Sequence, residues 1–105
     1  VETLAPDLMA ALMKRGEQSL SLGDIAAARL LFKRAADAGN ARAAVAMGKT
    51  YDPDTLAASP AQGERPDPAL AAEWYRKAAA LGDPRAAELL QRLAARSPDV
   101  TPIRP

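Results

Sequence analysis

The sequence predicts an all-α protein built from short helical hairpins, and three observations carry that expectation. Alanine and leucine dominate an apolar fraction of 49%, and β-branched residues form no runs. Apolar residues recur at three- and four-residue spacing, the period of one helix face. The chain also writes nearly the same phrase twice, FKRAADAGNARAA at 32–44 and YRKAAALGDPRAA at 75–87, with an offset of 43 residues. The match extends in both directions: Asp24 falls on Asp67, Ala28 on Ala71, Leu31 on Trp74, Gly39 on Gly82 and Met47 on Leu90. A period of this length marks stacked helical units.

Five helices follow in order, over about 7–22, 25–38, 41–51, 68–81 and 84–96. The first ends at Gly23, and Asp24 is placed to cap the second. On that second helix Ile25, Ala28, Leu31, Phe32, Ala35 and Ala36 form one apolar stripe. Gly39 stops it in the left-handed conformation, and Asn40 starts the third helix with almost no loop. Asp67 and Pro68 open the fourth, a cap followed by the ring that suits a first helical position. Its stripe is Ala71, Trp74, Tyr75, Ala78 and Ala79. Gly82, Asp83 and Pro84 repeat the same punctuation before the fifth. Short connections of this kind make antiparallel pairs. With so much alanine, the few aromatics (Phe32, Tyr51, Trp74, Tyr75) should dominate core stability. Trp74, the largest, is expected to be well buried between helices.

Two segments break the pattern. Residues 52–67, DPDTLAASPAQGERPD, amount to an insertion of 11 residues relative to the first hairpin and are expected to lie outside the helix stack. The tail, SPDVTPIRP at 97–105, is too rich in proline to continue a helix and is expected to be extended or disordered. Residues 1–96 therefore form the expected helical domain.

Composition excludes several functions. The net charge of +1 gives bulk electrostatics no preference for nucleic acid or a membrane surface. No apolar run approaches the roughly 18 residues that span a bilayer. The start, VETLAPDLMA, lacks the basic region of a secretory signal. The first residue is Val1, so the chain reads as a fragment or processed piece, and its compartment is left open. There is no cysteine and no histidine, which removes thiolate metal sites and the usual neutral-pH general base. No Gly-rich phosphate motif or other cofactor signature is present. Gly16, Gly39, Gly48 and Gly82 read instead as packing and capping positions. Asp52, Asp54, Glu64 and Asp67 could approach a hard cation, but the spacing of a calcium loop is missing, and they read as a solvated acidic loop. The basic pairs Lys33-Arg34 and Arg76-Lys77 read as solvated helix flanks. Neither catalysis, a metal, a cofactor nor a small-molecule substrate is expected.

The segments AAEWYRKAAALGDPRAA (71–87) and ARAAVAMGKTYD (41–52) resemble the Sel-one-like repeat, a tetratricopeptide-related helical hairpin. The resemblance covers roughly residues 8–96. It implies a right-handed α-α superhelix of about two and a half repeats, acting as a scaffold or adaptor for another protein. The pattern is imperfect. Ser19 and Leu20 stand where the first hairpin should carry an aromatic, and Gln91 and Ala94 stand where Gly48 and Tyr51 recur. The last helix therefore reads as a terminal cap, with Glu88, Arg92 and Arg96 facing water.

In tetratricopeptide-like arrays the first helix of each hairpin lines a concave face. Taking Gly16 and Gly48 as the buried packing position, that register gives Met13 and Glu17, then Arg42, Val45 and Lys49, then Arg85, Glu88 and Arg92. Four cations against two acids make a modestly basic groove, suited to an acidic peptide or tail. The rival expectation is a structural spacer or regulatory end-cap with no ligand of its own.

Overall fold

The computed structural model describes residues 3–57, 65–97 and 100. All of the regular structure among them is helical: α1 (Pro6–Ser21), α2 (Ile25–Asp37), α3 (Ala41–Lys49), α4 (Pro53–Ala57), α5 (Pro68–Ala80) and α6 (Ala86–Arg96). No helix among the described residues is long and apolar enough to cross a membrane.

Three turns share one hydrogen-bond pattern. Gly23 (φ 79°), Gly39 (φ 98°) and Gly82 (φ 101°) take the left-handed conformation. At each, the glycine N–H and the N–H of the next residue reach back to carbonyls of the preceding helix: Gly23 to Leu20 and Asp24 to Ser19, Gly39 to Ala36 and Asn40 to Ala35, Gly82 to Ala79 and Asp83 to Ala78. This is the Schellman closure, which satisfies carbonyls that the helix end would otherwise orphan. The next helix then starts at once. The Asp24, Asn40 and Asp67 side chains accept the N–H groups of Ala27, Ala43 and Leu70. Asp83 behaves differently. Its carboxylate accepts the Arg85 N–H at 2.9 Å, Pro84 and Arg85 form a turn, and α6 begins only at Ala86, two residues later than the sequence suggests.

Neighbouring helices pack in chain order, α1 on α2, α2 on α3, α3 on α5 and α5 on α6, in a slab of 39 × 34 × 16 Å. Two apolar clusters result. One joins α1, α2 and α3 around Phe32, Val45 and Met47, with Ala78 and Ala86 at its edge. The other joins α5 and α6 around Tyr75, Leu90 and Leu93. In each hairpin an aromatic ring lies on a glycine. A Cβ placed on Gly16 would sit 2.6 Å from Phe32, and one on Gly48 would sit 2.4 Å from Tyr75. Phe32 and Tyr75 are 43 residues apart, so the sequence offset corresponds to equivalent packing.

The structure corrects three expectations and adds a contact to a fourth. Tyr75, with 0% exposure, is the buried member of the Trp74–Tyr75 pair; Trp74 is half-buried, with the Lys77 ammonium 5.1 Å from its ring centre. On a helix, adjacent residues point about 100° apart, and the ring that faces the glycine takes the interior place. Asp52 is not solvated: it is buried and accepts the Tyr75 hydroxyl at 2.7 Å and the Asp54 N–H at 2.9 Å. The insertion is not wholly outside the stack either, because it begins with a sixth helix, α4, whose Thr55 and Leu56 help line a cleft. Its neck is closed by the Asp67 N–H donating to the Tyr51 carbonyl at 2.8 Å. In the tail, Val100 is buried against the α5–α6 cluster, so the chain does not leave the fold at Ser97. Glu64 and residues 101–105 lie outside the described residues.

Candidate binding cleft

A cleft of about 630 Å³ opens beside α1 and α3. Its deep wall is apolar: Met13 and Leu20 from α1, Ile25 and Phe32 from α2, Val45 from α3 and Leu56 from α4. Its polar groups are Glu17, Arg42, Lys49, Arg85 and the hydroxyl-bearing Ser21, Thr50 and Thr55. Local sequence explains the arrangement. Met13 and Glu17 are one helical turn apart on α1, and Arg42, Val45 and Lys49 follow at spacings of three and four on α3, so each set shares a face.

Six of the eight groove residues read from the sequence therefore meet at one place: Met13, Glu17, Arg42, Val45, Lys49 and Arg85. Glu88 and Arg92 do not line the cleft; they pair with each other across one turn of α6 at 2.5 Å, both largely exposed. The expected two-by-two cluster of Arg42, Lys49, Arg85 and Arg92 is thus reduced to three cations. The reason lies in the late start of α6. The Pro84–Arg85 turn replaces the first helical turn, so α6 does not continue the geometry by which α3 presents its cations. Leu20, Ser21, Ile25, Thr55 and Leu56 were not among the sequence-derived groove residues. Ile25 lies beyond the end of α1, where a register taken from Gly16 does not reach, Leu20 lies one turn past Gly16 and outside the two positions taken from it, and Leu56 belongs to the insertion.

The cations differ in their company. Arg85 forks onto the buried Asp83 carboxylate, Nε at 3.2 Å and NH2 at 3.0 Å. This guanidinium holds the Asp83 carboxyl below the usual carboxylate range, burial opposing it and Arg42 adding a smaller pull. Asp83 in turn raises the Arg85 pKa. Arg42 has Glu17 at 3.8 Å, a loose and largely exposed pair. Lys49 is half-buried and has no acidic partner among the described residues.

Thr50 closes α3 beneath the cleft. Its hydroxyl donates to the Met47 carbonyl at 2.7 Å, and Arg29 of α2 donates to the Thr50 hydroxyl at 3.1 Å and carbonyl at 2.7 Å while lying 3.9 Å over the Tyr51 ring. A cation at a helix C-terminus is favourable both for the orphan carbonyls and for the helix dipole. Away from the residues that line the cleft, Asp37 bridges Lys33 at 2.7 Å and Lys77 at 3.2 Å, tying α2 to α5. Lys33, then burial in opposition, then Lys77 set the balance that lowers its pKa.

These depressed carboxyl pKa values fix the sign of the acid response. A carboxyl whose folded pKa lies below its unfolded value of about 3.9 stabilises the fold above that value and loses this contribution as pH falls through the folded pKa. The melting temperature should therefore drop between about pH 4 and about pH 2. Asp83→Asn should lower it at neutral pH and make that acid limb shallower. Equal acid limbs for the variant and the parent chain would show that Asp83 carries no such linkage.

Comparison with protein-family models, curated proteins and solved structures finds no match for this chain.

Proposed function

We propose that the chain is a non-catalytic interaction module, a right-handed α-α superhelix of the Sel-one-like, tetratricopeptide-related kind, that holds a peptide or protein tail of acidic character in the cleft beside α1 and α3. The observation that carries this reading is the composition of the cleft. An apolar wall with a few convergent polar groups is the usual form of a ligand site, and about 630 Å³ falls within the usual size range. Its cations come from two places in the chain, Arg42 and Lys49 on α3 and Arg85 before α6, and outnumber the single lining acid, Glu17. Packing in chain order and the 43-residue sequence offset support the superhelical reading. The partner class is protein rather than nucleic acid, membrane or cofactor, because the cations are few and sit beside an apolar wall.

Exposed ion pairs contribute only about 0–1 kcal/mol each, so binding depends on several contacts and weakens with salt. The test is a nuclear magnetic resonance titration of the chain with a degenerate pool of acidic dodecapeptides. Amide shifts should be confined to residues 13–25 and 42–56, Phe32 and the turn around Arg85, and should shrink as salt rises. Shifts elsewhere, or none at millimolar peptide, would replace this reading with that of a spacer.

A further inference from the structure

The cleft has an internal order that narrows its ligand. Arg42 and Lys49 are two helical turns apart on α3, about 10 Å along the axis. Val45 lies between them on the same face, and Met13, Phe32 and Leu56 join it from three other helices. The apolar socket is therefore bracketed by a cation at each end. In an extended peptide, residues on one side recur every second position, about 6–7 Å apart, so a side chain and its neighbours two before and two after span about 13 Å. That span fits a bulky residue in the socket with one carboxylate toward Arg42 and another toward Lys49.

We propose that the cleft selects an extended segment of the form acid–x–bulky apolar–x–acid, in which the apolar side chain packs against Met13, Leu20 and Leu56 over a floor formed by buried Phe32 and Val45. This rests on the peptide-binding reading above and deepens it. The two ends are unequal. Arg42 already has a loose partner in Glu17 at 3.8 Å, whereas half-buried Lys49 has no acidic partner among the described residues. The carboxylate at the Lys49 end gains a cation that no other acid among the described residues shares, and its position is read more strictly than the one at the Arg42 end. Leu56 gives the insertion a role, since α4 supplies the socket wall that neither hairpin contains.

The test is selection of a phage-displayed library of random dodecapeptides on the full chain, followed by fluorescence polarisation of the best enriched peptide. Enrichment of a bulky apolar residue with an acid two positions away is the expected result. Lys49→Glu should weaken that peptide about tenfold, and replacing its matching acid by lysine should restore binding to the variant. Leu56→Ser should weaken it while leaving the dependence on peptide charge intact. Enriched peptides that are acidic throughout, or apolar without flanking acids, would overturn this inference and leave the peptide cleft standing. A charge exchange at Lys49 that gives no rescue would overturn it in the same way. No enrichment of any sequence would overturn both.

Discussion

Tyr75→Ala should leave the chain at the edge of unfolding at room temperature. Tyr75 is fully buried, packs among Ala71, Ala72, Leu90, Leu93 and Val100, and lies on Gly48. Truncating a buried aromatic costs about 3–5 kcal/mol. A small domain holds only about 5–15 kcal/mol in total, and one of this size sits toward the lower end. The hydroxyl adds a separate component. It donates to Asp52, itself buried, and burial followed by that acid raises the tyrosine pKa far above its ordinary value. Tyr75→Phe keeps the ring and strands one Asp52 oxygen, which should cost about 1–3 kcal/mol. Urea unfolding followed by circular dichroism ranks the three chains. A Tyr75→Phe variant as stable as the parent would show that water can replace the hydroxyl at Asp52, and a Tyr75→Ala variant that melts normally would displace the ring from its central role.

Gly48→Ala should destabilise the protein despite exchanging the second-worst helix former for the best. Propensity alone favours the change by about 1 kcal/mol. Against it, the new methyl carbon would sit 2.4 and 2.5 Å from two Tyr75 ring atoms and 3.2 Å from the Ala71 carbonyl oxygen. The ring cannot retreat, being enclosed on its other side and tethered through its hydroxyl. Overpacking of this kind costs about 1–3 kcal/mol or more, and the two effects together leave a net loss. Gly39→Ala makes a useful contrast. Nothing lies within 4 Å of that position, so its cost comes only from a φ of 98°. Thermal melts should place Gly48→Ala below Gly39→Ala. The reverse order would mean that α3 and α5 can move apart to admit a methyl group.

Much of this arrangement can be read from the sequence because it is written in local chemistry. A glycine followed by Asp or Asn specifies a helix stop and a cap within two residues, and Gly23-Asp24 and Gly39-Asn40 fold as that grammar dictates. Gly82-Asp83 keeps the stop and loses the cap, because Arg85 competes for the carboxylate through its own backbone and guanidinium. The choice between Trp74 and Tyr75 is not local. Size favours tryptophan, but only the residue facing Gly48 can enter the interior, and that register is settled by a helix far away in sequence. Asp52 shows the same limit. A carboxylate in an acidic, proline-rich stretch looks solvated until the Tyr75 hydroxyl, 23 residues on, is seen to reach it. In the cleft, Met13, Glu17, Arg42, Val45 and Lys49 follow from helical spacing together with the face that the repeat resemblance assigns, whereas Leu20 and Ser21 of α1 are not in that set. Leu56 does not, because a five-residue helix leaves too short a pattern to recognise.

The unequal lengths of the two hairpins have a further meaning. Gly16 meets Phe32 across sixteen residues of chain, and Gly48 meets Tyr75 across twenty-seven. The longer connection is less than a doubling, so its extra closure entropy is below about 0.6 kcal/mol, smaller than the worth of one buried methylene. The segment that makes this difference also carries α4 to the edge of the cleft. Material can thus be added, removed or rewritten there at almost no thermodynamic penalty while the glycine–aromatic contacts stay in place. The fold separates what must be kept from what is free to vary: the wall that α4 gives the cleft can be rewritten without the core having to change with it.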